Sequence, residues 1–116
     1  MLPDKKDTKS LVFVYGTLKK GRANHDLLKG EEYLGEYYTG PGYRLYNLGL
    51  PYLHEDGVSE GCTGELYLIS RLKLELLDRL EGHPDWYERK FIRVYPLGEH
   101  APCKYAWCYL IKDKRV

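Results

Sequence analysis

Two stretches of the sequence combine residue types that could do chemistry. The first is LVFVYGTLKKG at residues 11–21, an apolar run that enters Tyr15-Gly16-Thr17-Leu18, two lysines and a second glycine. A glycine where a strand stops lets backbone come close to another group. Successive N–H groups in a tight turn can converge on an anion such as a carboxylate, and the Thr17 hydroxyl could add a donor. The second is Glu81, which ends an amphipathic segment just before Gly82. A carboxylate in the last turn of a helix faces the negative end of the macrodipole, where Lys or Arg is preferred. Asp78, three residues earlier, adds a like charge on a nearby face. Both effects disfavour the ionised form and would raise the pKa, which suits general acid/base work near neutrality. An ordinary turn after a strand and a solvated glutamate at a frayed helix end fit the same residues, and residue physics alone leaves both open.

Other chemistries are less well served. Gly16 and Gly21 have the glycine spacing of a phosphate-binding loop, but Arg22-Ala23 stand where a lysine and a hydroxyl residue must follow. His25, His54, His83 and His100 are scattered, with no two ligands at helical spacing. Cys62, Cys103 and Cys108 lack zinc-finger spacing, so no metal site is expected. Spacing does not exclude a Cys–His nucleophile, although nothing points to one; Cys62 and Cys108 read as small buried hydrophobes. Eighteen basic residues against seventeen acidic ones give a net charge of +1, without the footprint of a nucleic-acid partner. No apolar run approaches the ~20 residues of a membrane helix, and MLPDKKDTKS lacks the apolar region of a secretory signal. Three cysteines without a CxxC pair fit a reducing cytoplasm.

The elements that must position these groups follow from pattern and punctuation. A chain of 116 residues, 43% hydrophobic and 30% charged, can bury one core without disulfides. Residues 1–10 read as a flexible leader and 11–116 as a single domain. Residues 11–15 do not alternate, as expected of a strand buried on both faces. Asn24 can cap a short helix that Gly30 ends. Residues 33–38, 43–46 and 62–69 are strand candidates, separated by Gly40-Pro41-Gly42 and by a polar stretch over 54–61. One helix is predicted over 70–81, with Ser70 as N-cap, Gly82 as stop, and Leu72, Leu76 and Leu80 as an apolar stripe that Leu77 widens. Strands over 91–96 and 104–110 follow, the last with Tyr105, Trp107 and Tyr109 on one face. The expected fold class is α+β: a small mixed β-barrel of about six or seven strands flanked by helices.

Taken together, LVFVYGTLKKGRANHDLL, GELYLI and LLDRLEGHPDWYERKFIRV resemble the γ-glutamylcyclotransferase-like superfamily, and most closely its γ-glutamylamine cyclotransferase branch. The matching positions are Tyr15-Gly16-Thr17-Leu18, Lys19, Gly21 and Asn24-His25, then Leu77-Asp78, Glu81, Tyr87 and Arg89. The resemblance covers residues 11–110. It implies a barrel with a cavity between the Tyr15–Leu18 loop and the Glu81 helix end. It also implies release of 5-oxoproline from small-molecule γ-glutamyl compounds without metal or cofactor. On that resemblance Glu81 is the acid/base, and the backbone N–H groups of Gly16, Thr17 and Leu18 hold the substrate α-carboxylate. Tyr15 lines the pocket and Tyr87 closes it near Glu81. Arg89 stays outside the catalytic set, and residues 49–56 fall where the family carries a proline-containing loop near the cavity.

Two rival readings stand beside this one. The first is a non-catalytic carboxylate binder of the same fold. The second is a barrel that stacks single-stranded nucleic acid on Tyr105, Trp107 and Tyr109, against which the balanced charge speaks. Oligomeric state is left open, with a homodimer one option for a chain carrying twelve tyrosines.

Overall fold

A computed structural model describes residues 8–16, 18–22, 24–48, 50–98 and 101–111. Seven strands and one α-helix follow in the order β1 (Lys9–Val14), β2 (Glu32–Tyr38), β3 (Tyr43–Leu48), β4 (Leu50–Glu55), β5 (Thr63–Ser70), α1 (Arg71–Glu81), β6 (Tyr87–Pro96) and β7 (Lys104–Ile111), with a 3₁₀ turn at His25–Leu28 after β1. The strands form one sheet in the order β1-β5-β2-β6-β7-β4-β3, and a further β1–β7 pairing closes five of them into a ring. Most neighbours are antiparallel, but β7 meets β1 and β4 in parallel, at Val12–Trp107 and Leu53–Leu110. The β3–β4 hairpin thus hangs from the ring through β7.

Two apolar clusters explain why β1 does not alternate. Phe13 points into the ring with Leu66, Ile92, Val94, Ala106, Cys108 and Leu110. Val12 and Val14 face the other way, against Tyr67, Ile69, Tyr109 and the α1 residues Leu74 and Leu77. The strand therefore separates the ring interior from a second layer under the helix. It begins at Lys9, with Lys9 and Ser10 opposite Ser70 and Ile69, inside the stretch expected as leader.

The helix has the expected caps but presents the other face. The Ser70 hydroxyl accepts the Lys73 N–H at 3.2 Å, and Gly82 ends the helix in the left-handed region at φ 66°. Leu77 is 0% exposed, whereas Leu72 and Leu80 of the expected stripe are 63% and 47% exposed. Leucines recur on both sides of this helix, so periodicity alone does not select the buried side. The inward-facing stripe runs Leu74 and Leu77, both buried, then Asp78 and Glu81, both partly buried.

Two further expectations change. Residues 49–56, read as a loop, contain β4, paired with β3 from Leu48–Leu50 to Tyr43–Glu55. Pro51 is tolerated there because β4 makes only limited pairing on its other side, at Leu53–Leu110. Asn24 holds the N-cap position of the 3₁₀ turn without a side-chain capping bond.

Candidate active site

The end of β1, the end of α1, the start of β6 and Pro51 of β4 enclose a cleft of about 210 Å³. Of the residues expected at the site, Tyr15, Gly16, Leu18, Glu81 and Tyr87 all line this one cleft. Thr17 lies outside the described residues. Asn24, Pro51, Leu80 and Tyr109 complete much of the wall. Asn24 stood within the matched motif, yet its residue type suggested only a cap. Tyr109 carried no local signal, since only the ring brings it there, and Pro51 lies in the 49–56 segment that the resemblance set near the cavity.

Glu81 is the last helical residue, and the left-handed Gly82 turns the chain away immediately behind it. Its carboxyl is pushed up to about 7 by burial among apolar and aromatic groups. Among the described residues its carboxylate has no hydrogen-bond or ion-pair partner. Repulsion from Asp78, the cause expected from the sequence, is not responsible. Asp78 accepts Arg89 Nε at 2.8 Å and Arg89 Nη2 at 3.1 Å. It also accepts the Tyr109 hydroxyl at 2.6 Å. Burial would raise Asp78, but these hydrogen bonds and the guanidinium charge outweigh it and hold the carboxyl below its usual range.

Three tyrosines face Glu81. The Tyr15 hydroxyl donates to the Tyr109 carbonyl at 2.5 Å, and burial raises its pKa well above the ordinary value. Tyr87 is raised by burial and then by the charges of Glu81 and Tyr52. Tyr109 is raised by burial and by its bond to Asp78. All three stay neutral hydroxyls at working pH, so Glu81 is the titrating group of the cleft near neutrality.

The opposite wall is a loop fastened from behind. Lys19 N–H donates to the Gly16 carbonyl at 3.1 Å, closing a turn. Gly16 is absent from the residues with positive φ. Its glycine allows a close approach, because a Cβ there would lie 3.1 Å from Pro51 Cγ, and Pro51 would have to give way by a few tenths of an ångström. The Leu18 side chain is buried in the layer under α1, and its carbonyl accepts His25 Nδ1–H at 2.9 Å. Glu65, a buried carboxylate on β5, accepts the Lys20 N–H at 3.0 Å and the Tyr67 hydroxyl at 3.1 Å. The Lys20 ammonium sits 3.5 Å over the Tyr33 ring. Sequence reasoning placed Glu65 on a half-buried strand and missed this clamp, because its partners are other elements.

No group of three or more His, Cys, Asp or Glu among the described residues is placed to hold a metal ion. No described helix is long and apolar enough to cross a membrane. What the cleft offers is a carboxyl balanced between its two protonation states, neutral hydroxyls around it, and a main-chain turn opposite. That set suits proton transfer to and from a bound substrate.

Comparison with known proteins places the chain in a family. A family profile described as gamma-glutamyl cyclotransferase, AIG2-like, matches residues 12–116. The chain is 35% identical over 102 residues to human gamma-glutamylaminecyclotransferase, covering 80% of this chain and 67% of that one. The crystal structure of a mouse aig2-like protein superposes with a TM-score of 0.82 at 28% identity, covering 90% of this chain and 78% of the other. An uncharacterized Pyrococcus horikoshii protein gives a TM-score of 0.70 at 27% identity, covering 90% and 80%. The match takes in the ring, the helix and the cleft between them, and the chain belongs to the gamma-glutamyl cyclotransferase, AIG2-like family.

Proposed function

We propose that this protein releases 5-oxoproline from γ-glutamylamines or related γ-glutamyl compounds in the cytoplasm, using no cofactor, with Glu81 as general acid/base. The observation that carries this reading is the Glu81 carboxyl, raised to about 7 by burial in the cleft that also gathers Tyr15, Gly16, Leu18 and Tyr87. Near that pKa both the proton-accepting and the proton-donating form are populated at neutral pH.

The substrate supplies its own nucleophile. Its α-amine is mostly an ammonium at pH 7 and must lose a proton before it can attack. The amine nitrogen then bonds to the γ-carbonyl carbon, and the bond from that carbon to the leaving nitrogen breaks. Glu81 takes the proton lost by the attacking nitrogen and delivers one to the departing nitrogen, so 5-oxoproline and a free amine result and no water is consumed. Backbone N–H groups of Gly16, Thr17 and Leu18 hold the α-carboxylate, which bends the glutamyl chain into a near-attack shape. Tyr15 lines the glutamyl site, and Tyr87 bounds it beside Glu81 with its hydroxyl as donor.

The test is a 5-oxoproline release assay with γ-glutamyl-ε-lysine, a γ-glutamyl-alkylamine, γ-glutamyl-alanine and γ-glutamyl-cysteinylglycine. Glu81→Gln is expected to lower release by ~10²-fold or more with the fold intact. In the wild type, kcat/KM should climb with pH on the acid side as Glu81 ionises around 7. Wild-type turnover by Glu81→Gln would remove the mechanism. No release from any compound, with 5-oxoproline still bound, would favour a carboxylate-binding protein of the same fold.

A further inference from the structure

We propose that Asp78 and Arg89 act as a positioning pair for Glu81, fixing the last turn of α1 and cancelling the formal charges beside it; the inference rests on the acid/base role given above to Glu81. Asp78 precedes Glu81 by one helical turn. Both oxygens of its carboxylate are taken by Arg89 from β6, and one also by Tyr109 from β7. The two side chains are 17% and 18% exposed, so solvent screens them little. The main chain is tied as well: Arg89 N–H donates to His83 Nδ1 at 3.0 Å, and His83 N–H returns to the Asp78 carbonyl at 2.9 Å. On its outer side the guanidinium lies 4.0 Å over the Trp107 ring, which stacks at 3.8 Å on Phe91. Through Tyr109, whose carbonyl receives the Tyr15 hydroxyl, the same pair is joined to the opposite wall of the cleft.

The groups that face Glu81 from packed elements are Tyr15 at the end of β1, Tyr87 on β6, and Cys108 and Tyr109 on β7. Tyr52 of β4 lies beyond Tyr87. Each of the four facing groups is held neutral at working pH, by burial before any other cause. The charged groups around the last turn are then Asp78 and Arg89, with Arg79 on the helix. A paired Asp78 and Arg89 present almost no net charge to Glu81. Removing either partner exposes the other, and the two removals act with opposite sign.

That opposition is the test, since a pair that only stabilised the fold would not produce it. The full chain carrying ¹³C-labelled glutamate is titrated by NMR, with Glu81→Gln to assign the Glu81 carboxyl. Arg89→Met should raise the Glu81 midpoint by about half a unit to one unit, and Asp78→Asn should lower it by a similar amount. The double variant should return close to the wild-type midpoint. Single-variant midpoints that move together, or stay where they are, overturn the proposal. Should Arg89→Met fail to fold, Arg89→Lys must keep the wild-type midpoint while Asp78→Asn lowers it, and any other result sinks the pair. The acid limb of 5-oxoproline release should follow the NMR midpoints. Opposite shifts without release from any γ-glutamyl compound would uphold the pair and overturn the cyclotransferase reading instead.

Discussion

The last turn of α1 serves two regions with two carboxyl groups. Asp78 reaches the groove between the helix and the β6–β7 pair, where three donors meet it and it stays ionised. Glu81 reaches the cleft, where burial comes without a partner among the described residues and its pKa climbs to about 7. The groups are three residues apart on one helix, so propensity, dipole and sequence neighbourhood hardly differ. Burial with partners and burial without them drive the two carboxyls in opposite directions. The groove keeps its carboxyl ionised, and the cleft leaves Glu81 near its midpoint at neutral pH.

The largest test of that division concerns the face on which the helix rests. Leu77→Ala should cost about 2–5 kcal/mol in chemical denaturation, because its side chain is fully buried under α1. Leu72→Ala should stay within about 0.5 kcal/mol. Equal losses would mean that the helix does not present Asp78 and Glu81 inward as described.

A smaller effect is expected from the groove itself. Asp78→Ala should cost about 2–3 kcal/mol at neutral pH by leaving the half-buried Arg89 unpaired. The Asp78 pKa is lowered on folding, so its contribution is present above the unfolded value and fades as pH falls through the folded one. Measured stability loss on alanine substitution should therefore shrink in acid. A loss unchanged down to strongly acidic pH would show that the charge is not what matters.

On the loop side, Glu65→Gln exchanges a charged acceptor for a neutral one behind Lys20 and Tyr67. About 1 kcal/mol of stability should go with it, and KM should rise more than kcat falls. A fall in kcat alone would place Glu65 with the acid/base rather than with the loop.

The effect at Glu81 has the opposite sign. Glu81 is raised on folding from an ordinary 4.5 to about 7, so its ionisation weakens the fold as pH rises through that interval. Glu81→Gln escapes this, and it should be more stable than the wild type above pH 7, by on the order of 3 kcal/mol for a rise of that size, and converge with it below about 4.5. A variant less stable than wild type at pH 8 would show that Glu81 has a stabilising partner after all.

How much of this could be read beforehand varies with how local each signal is. The caps Ser70 and Gly82 and the doubly buried β1 depend on a few adjacent residues and were legible. Helix phase was not, because leucines on both flanks satisfy the same periodicity and only the distant Arg89 and Tyr109 show which flank faces inward. The strand β4 was missed because residues 49–56 were matched to a proline-containing loop of the family near the cavity, and Pro51 does form part of the cleft wall. At the site, Tyr15, Gly16, Leu18, Glu81 and Tyr87 were named and do converge. The raised pKa of Glu81 was anticipated for a local reason, dipole and neighbour charge, whereas its cause is enclosure by four elements.

The Tyr15 hydroxyl rests on the Tyr109 carbonyl, 94 residues further along the chain. The strand carrying Tyr109 is also the one that closes the ring against β1 and holds the β4 hairpin. On a ribosome, the segment from β1 to β6 must therefore emerge with its sheet open and both walls of the cleft unsupported. Such long-range closure predicts slow folding with a late, cooperative final step, and a nascent chain that exposes unpaired strand edges until β7 arrives.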